Sequence, residues 1–185
     1  MVINKASRVS SLMLIFALCF TVSMGTASAK DHSAAMVAIH NLNNEITAAN
    51  ERQDLPGAIE AASKAVQVAK TEFGRNSFEA AGAMNNLGNL YILADRAAEA
   101  EQLLKQTVLI YLERKDKKGT EVADLYVNLG IACAAQKKYR EALKILNKAL
   151  IIRREKLGPD DIATKKVEEM MEDFSKLAYP NAEKI

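Results

Sequence analysis

One pattern is written twice in this chain, and the interval between the copies limits the folds open to it. Asn86-Leu87-Gly88 returns 42 residues later as Asn128-Leu129-Gly130. In the same register Glu99-Ala100 meets Glu141-Ala142, Leu103-Leu104 meets Ile145-Leu146, and Val108 meets Leu150. A further shift of 42 gives a weaker first copy, with Asn44 under Asn86 and Ala58 under Ala100. The joints agree as well, since Glu72-Phe73-Gly74 matches Lys156-Leu157-Gly158. A fixed period of roughly 20–50 residues marks an array, in which each unit leaves a hydrophobic face for its neighbour to cover.

Each unit reads as two helices. Met84, Leu87, Gly88 and Tyr91 fall at helical spacing on one stripe, and after a short break Ala100, Leu103, Leu104, Thr107 and Val108 form another. The third copy repeats this with Tyr126, Leu129, Gly130 and Cys133, then Ala142, Ile145, Leu146, Ala149 and Leu150. Only three prolines occur, and alternating β-branched runs are nearly absent, so the expectation is all-α. Glycine inside a helix costs about 1 kcal/mol relative to alanine, so the recurring Gly88 and Gly130 imply a close helix–helix approach. Asp54 before Pro56 is a helix start, and Gly74 and Gly158 are helix stops. The segment 161–178 keeps the joint but loses the Asn-Leu-Gly. Its apolar stripe (Val167, Met170, Met171, Phe174, Leu177, Ala178) and charged remainder suit a capping helix.

These residues resemble the tetratricopeptide repeat. That family's bulky-x₂-Leu-Gly-x₂-Tyr, then Ala-x₃-bulky-x₂-Ala, is met by Met84, Leu87, Gly88, Tyr91, Ala100 and Leu104, with Thr107 for the last alanine. The third copy supplies Tyr126, Leu129, Gly130, Ala142, Leu146 and Ala149, with Cys133 for the tyrosine. The first copy departs most, placing Glu45-Ile46 where Leu-Gly is expected. The 42-residue period and the stretch from Leu157 to Thr164 are similar to the kinesin-light-chain style of this repeat. The resemblance implies a right-handed superhelical array of three helix-turn-helix repeats, about 34–75, 76–117 and 118–159, with the cap at 161–178 and a tail at 181–185. It covers nearly all of residues 30–180.

Residues 1–29 read differently. Lys5 and Arg8 precede an apolar run from Leu12 to Val22, and Ala27-Ser28-Ala29 is a small-x-small cleavage site. This is the signal-peptide pattern, its apolar core too short to span a bilayer comfortably. The expected mature chain starts at Lys30, in the periplasm or outside the cell, with no stable membrane insertion. Its 25 basic residues fall to 23 without Lys5 and Arg8, equal to the 23 acidic ones, so no nucleic-acid partner is indicated. Cys19 leaves with the leader and Cys133 stands alone, which excludes an intrachain disulfide. With Cys133 on a core stripe, it reads as a small packing residue.

No phosphate loop, Cys-x-x-Cys or His-Glu-x-x-His occurs, and only two histidines are present. No enzyme, cofactor or resident metal is therefore expected. Lys30-Asp31-His32 would place a histidine third in the mature chain, a pattern able to form a planar four-nitrogen site for Cu(II) or Ni(II).

Function has to be sought in the asparagines. On a wheel zeroed at Met84, Leu87, Gly88 and Tyr91 cluster together while Asn85, Asn86 and Asn89 fall opposite. In the repeat family that face lines the inner groove, and stacking carries Asn44, Asn86 and Asn128 to equivalent places along it. A side-chain amide both donates and accepts, so it can pair with the backbone of an extended peptide without reading its side chains. Val127, Ile131 and Leu93 would add apolar contact, and Asp124 lies on the same face. Some family members clamp a peptide's terminal carboxylate with groove cations. The matching places here are Asn43, Thr47, Asn86, Asp124 and Asn128, which implies a peptide gripped along its interior. Two rivals stand beside this scaffold reading: self-association as a structural subunit of an envelope complex, and a metal-binding or cryptic enzymatic role.

Overall fold

The computed structural model describes residues 32–113 and 119–180. The leader, its cleavage site, Lys30, Asp31 and the tail at 181–185 lie outside these. The described residues form seven helices and no strand. They are α1 (32–51), α2 (Leu55–Glu72), α3 (Phe78–Leu93), α4 (Ala97–Leu112), α5 (Thr120–Ala135), α6 (Tyr139–Lys156) and α7 (Ile162–Ala178). From α2 onward each helix packs on the next, and α3 also touches α5. The molecule is thus a row of antiparallel helix pairs, α1–α2, α3–α4 and α5–α6, closed by α7.

Short polar side chains start several of these helices. The Asp54 carboxylate accepts from the Gly57 amide at 3.0 Å, and the Ser77 hydroxyl from the Ala80 amide at 3.0 Å. Asp161 accepts from the Ala163 amide at 2.8 Å and opens α7. Each cap satisfies amides that have no acceptor within the helix. Gly74 and Gly158 sit at φ of 98° and 91°, where a side chain would be strained.

The turn inside each pair is the same turn three times. Gln53, Asp95 and Lys137 lie at φ of 58°, 59° and 60°, and they are spaced by 42 residues. The next amide in each case reaches five residues back: Asp54 to the Ala49 carbonyl at 2.8 Å, Arg96 to Tyr91 at 2.8 Å and Lys138 to Cys133 at 3.0 Å. This is the Schellman arrangement, which uses leftover carbonyls at a helix end. The first pair, weakest in sequence, therefore has the same backbone as the other two.

Packing within the pairs explains the glycines. A Cβ on Gly88 would lie 2.9 Å from Leu104 Cγ, and one on Gly130 would lie 2.8 Å from Leu146 Cγ. Both leucines are fully buried, so the glycine on one helix makes room for the leucine on its mate. In the first pair the equivalent positions are Ile46 and Ala62, both buried in one core cluster. The bulk has moved from the second helix to the first, and the pair's side chains together gain one carbon. A large side chain on one helix opposite a small one on the other is kept with the helices exchanged, which lets Ile46 stand in the glycine's place.

The last helix ends the row. Against α3 and α5, the glycine position on α7 carries Glu172, the Met84/Tyr126 position Glu168, and the Ala81/Ala123 position Lys165. Glu172 and Lys165 are exposed. One face of α7 nevertheless packs on α6, burying Val167 with Leu146 and Leu150. A carboxylate standing where close approach needs glycine leaves no seat for a further helix of the same kind.

Candidate functional site

The asparagine face is built by the first helices of adjacent pairs. The packing of Leu87, Gly88 and Leu90 turns Asn85, Asn86 and Asn89 away from the core, with Asn86 exposed and the other two half-buried. Asn44 is exposed on α1, and Asn128 is half-buried on α5. The structure joins two of these residues directly. The Asn128 Nδ2 amide donates to Asn85 Oδ1 at 3.0 Å, linking α3 to α5. The partner is Asn85 rather than the repeat-equivalent Asn86, so neighbouring first helices meet one residue out of register. Among the described residues no side chain hydrogen-bonds to the amides of Asn44, Asn86 or Asn89. A Cβ added to Gly82, one turn before Asn86, would meet nothing within 4 Å. The face is open there down to the backbone.

Asp124 is exposed, but it is not an isolated negative charge. Its carboxylate accepts from Arg153 Nη2 at 2.7 Å, and Arg153 Nη1 donates to the Ala163 carbonyl at 2.6 Å. Arg153, with its side chain 12% exposed, thus ties α5, α6 and the start of α7 together. A cation therefore stands beside Asp124, which the groove positions alone did not reveal because Arg153 comes from the second helix. Val127 is half-buried and packs on Leu146, Leu150 and Val167, so most of its surface belongs to the core. Ile131 is half-buried, and Leu93 is 71% exposed at the end of α3.

A second polar group was not singled out from the sequence. Glu101 on α4 is only 6% exposed. It accepts from Gln136 Nε2 at 2.6 Å, from Lys138 Nζ at 2.8 Å and from the Lys105 ammonium. Burial alone would raise its pKa, but these three donors outweigh it and hold the carboxyl down at about 2. The available signal was its place in the repeat, because the equivalent positions are Ile59 and Leu143. Cys133 Sγ and carboxylate oxygens of Glu101 and Glu141 lie within 4.8 Å of one another. Burial, with the two carboxylates, pushes the Cys133 thiol up to about 11. A metal would need the thiolate and would have to displace two ammonium groups, so these residues do not suit a cation. They act as a polar pin between the second pair and the third.

The array is a stack of helix pairs with a polar first-helix face. The tetratricopeptide-repeat models match residues 80–113 and 121–168, and the chain carries tetratricopeptide repeats there. Two crystal structures of a Podosopora anserina protein described as a kinesin light chain with nearly identical TPR-like repeats superpose with TM-scores of 0.70 at 14% identity. Each match covers 76% of this chain and 66% of theirs. BtubC (BKLC) from P. vanneervenii superposes with a TM-score of 0.66 at 18% identity, over 72% of this chain and 53% of that one. The chain thus spans about half to two-thirds of the length of these structures, and at such identities they share its fold. No curated protein matches the sequence. No helix among the described residues is long and apolar enough to cross a membrane.

Proposed function

We propose that this protein is an exported scaffold that holds an extended segment of a partner protein along the asparagine face. The observation that carries this reading is the set of amides at exposed Asn44 and Asn86 and half-buried Asn89, none bonded to another described side chain, with the backbone open at Gly82 one turn before Asn86. Each amide–peptide hydrogen bond contributes about 0.5–1.5 kcal/mol net. Three such bonds give weak binding alone, and apolar contact from Ile131 and Leu93 adds to it. Asn85 and Asn128 link α3 to α5, and Asn85 keeps both N–H donors and Asn128 one N–H donor and its oxygen for the ligand. Arg153 offsets the charge of Asp124, so the α5 end of the face carries no unpaired carboxylate at that position. Export rests on the leader pattern in residues 1–29.

Self-association through α7 has less support. The helix centre carries Glu168, Glu169, Glu172 and Asp173, which would face their own copies across a two-fold axis. The test is a paired capture from envelope extract, comparing wild type with Asn44→Ala/Asn86→Ala/Asn89→Ala. Loss of a wild-type partner from the variant supports the proposal, and identical recovery from both overturns it. Light scattering checks the rival, for which a concentration-independent dimer would be required.

A further inference from the structure

We propose that Gly82 is the point where the partner's extended segment crosses α3, its main chain lying directly against the helix backbone. The inference rests on the peptide-binding reading of the asparagine face and adds the contact that decides binding there. Beyond their first turns the described helices carry three glycines, Gly82, Gly88 and Gly130. Each costs about 1 kcal/mol of helix stability relative to alanine, so each needs a compensating reason. Gly88 and Gly130 have one, since Leu104 and Leu146 occupy the space a Cβ would take. Gly82 has none inside the molecule. A Cβ there meets nothing within 4 Å, and its backbone lacks the left-handed φ of Gly74 and Gly158.

The repeat rules out an architectural reason. The equivalent residues are His40 on α1 and Asp124 on α5, and both are exposed. Helices of the same stack thus accept an imidazole or a carboxylate at this place. Only the second pair omits the side chain, and it does so one turn before Asn86 on the same stripe of α3. Bare backbone beside two side-chain amides, those of Asn86 and Asn89, suits the close approach of another main chain. A methyl group at this position would stand about 1.5 Å out from the helix backbone. A segment held off by only ~0.6 Å would have its ~3.0 Å hydrogen bonds stretched to ~3.6 Å, where they cease to be bonds. A partner helix has its own backbone groups already paired, so the notch selects an extended chain over a helical one. The ligand class is therefore an extended peptide held through its N–H and C=O groups, with Asn86 and Asn89 as the pairing side chains.

The test uses random peptides displayed on phage, depleted on the Asn44→Ala/Asn86→Ala/Asn89→Ala protein and then selected on wild type, so that every probe depends on the asparagine face. Fluorescence anisotropy measures the selected peptides against wild type, Gly82→Ala, Gly82→Leu and Ala98→Leu, the last on the exposed side of α4. The expected result is binding about tenfold weaker in Gly82→Ala, the loss of one to two hydrogen bonds. Gly82→Leu loses binding altogether, and Ala98→Leu binds as wild type does. Chemical denaturation of the same samples is expected to find Gly82→Ala no less stable than wild type, which separates lost binding from lost folding. Should Gly82→Leu fail to fold, Gly82→Ala decides alone. Wild-type affinity in Gly82→Ala, or an equal loss in Ala98→Leu, overturns the notch and leaves the asparagine face standing. No peptide surviving depletion and selection overturns the asparagine-face reading and the notch together.

Discussion

Replacing Glu101 with Gln removes a charge that three donors hold in place, and the cost is predictable in size and in pH dependence. The carboxyl moves from an ordinary 4.5 down to about 2 on folding. At 1.36 kcal/mol for each pH unit, the ionised form contributes about 3 kcal/mol at neutral pH. Lys105 and Lys138 are about half exposed and keep much of their hydration in either state. The measured loss in Glu101→Gln is therefore expected at about 1–3 kcal/mol. Because the folded pKa is depressed, the stabilisation is fully present above the unfolded pKa and disappears as pH falls from about 5 toward 2. Glu101→Gln does not titrate at this position, so the stability gap between it and wild type should close across that window. Other carboxylates titrate alike in both proteins and cancel in the difference. Urea unfolding followed by far-ultraviolet circular dichroism at pH 7, 5 and 3 measures the gap. A gap that stays constant from pH 7 to pH 3, or no gap at pH 7, refutes the reasoning.

Three further outcomes follow from packing and backbone geometry. Gly82→Ala and Gly130→Ala should shift stability in opposite directions. The first fills open space and gains up to about 1 kcal/mol of helix propensity, while the second meets Leu146 at 2.8 Å and loses about 1 kcal/mol net, as chemical denaturation will register. In the first pair, Ile46→Gly and Ala62→Leu should each destabilise. Their combination, which recreates the Gly–Leu arrangement of the other pairs, should recover about 1–3 kcal/mol relative to the sum of the singles in a double-mutant cycle. Lys137→Gly should stabilise by about 0.5–1 kcal/mol, read as a higher melting temperature, because it relieves a left-handed backbone at φ 60°.

Much of the architecture was legible in the sequence because repeats restate their own packing rules. The asparagine-leucine-glycine motif, the Asp54 start and the Gly74 and Gly158 stops each act through local backbone or one close contact, and each does so in the structure. The features that escaped depend on relations that residue identity hides. Ile46 and Ala62 keep one large and one small side chain but exchange the helices that carry them, so neither looks like its counterpart. Gln53, Asp95 and Lys137 share one backbone conformation without sharing a side chain, since polar residues tolerate the left-handed region at modest cost. Glu101 meets Gln136 and Lys138 across more than 30 positions of sequence. The pairing of Asp124 with Arg153 likewise depends on how two helices cross. The Asn85–Asn128 bond shows the same limit: the face was legible, but its one-residue offset comes from the way pairs stack.

The claim that a partner lies along the asparagine face can be tested without knowing the partner. A photoreactive residue placed at Asn86 in the living source cell, and separately at exposed Gln106 on α4, reports which face is occupied. The account predicts a discrete crosslinked adduct from position 86 and none from position 106. Adducts from position 106 with none from position 86 would contradict it.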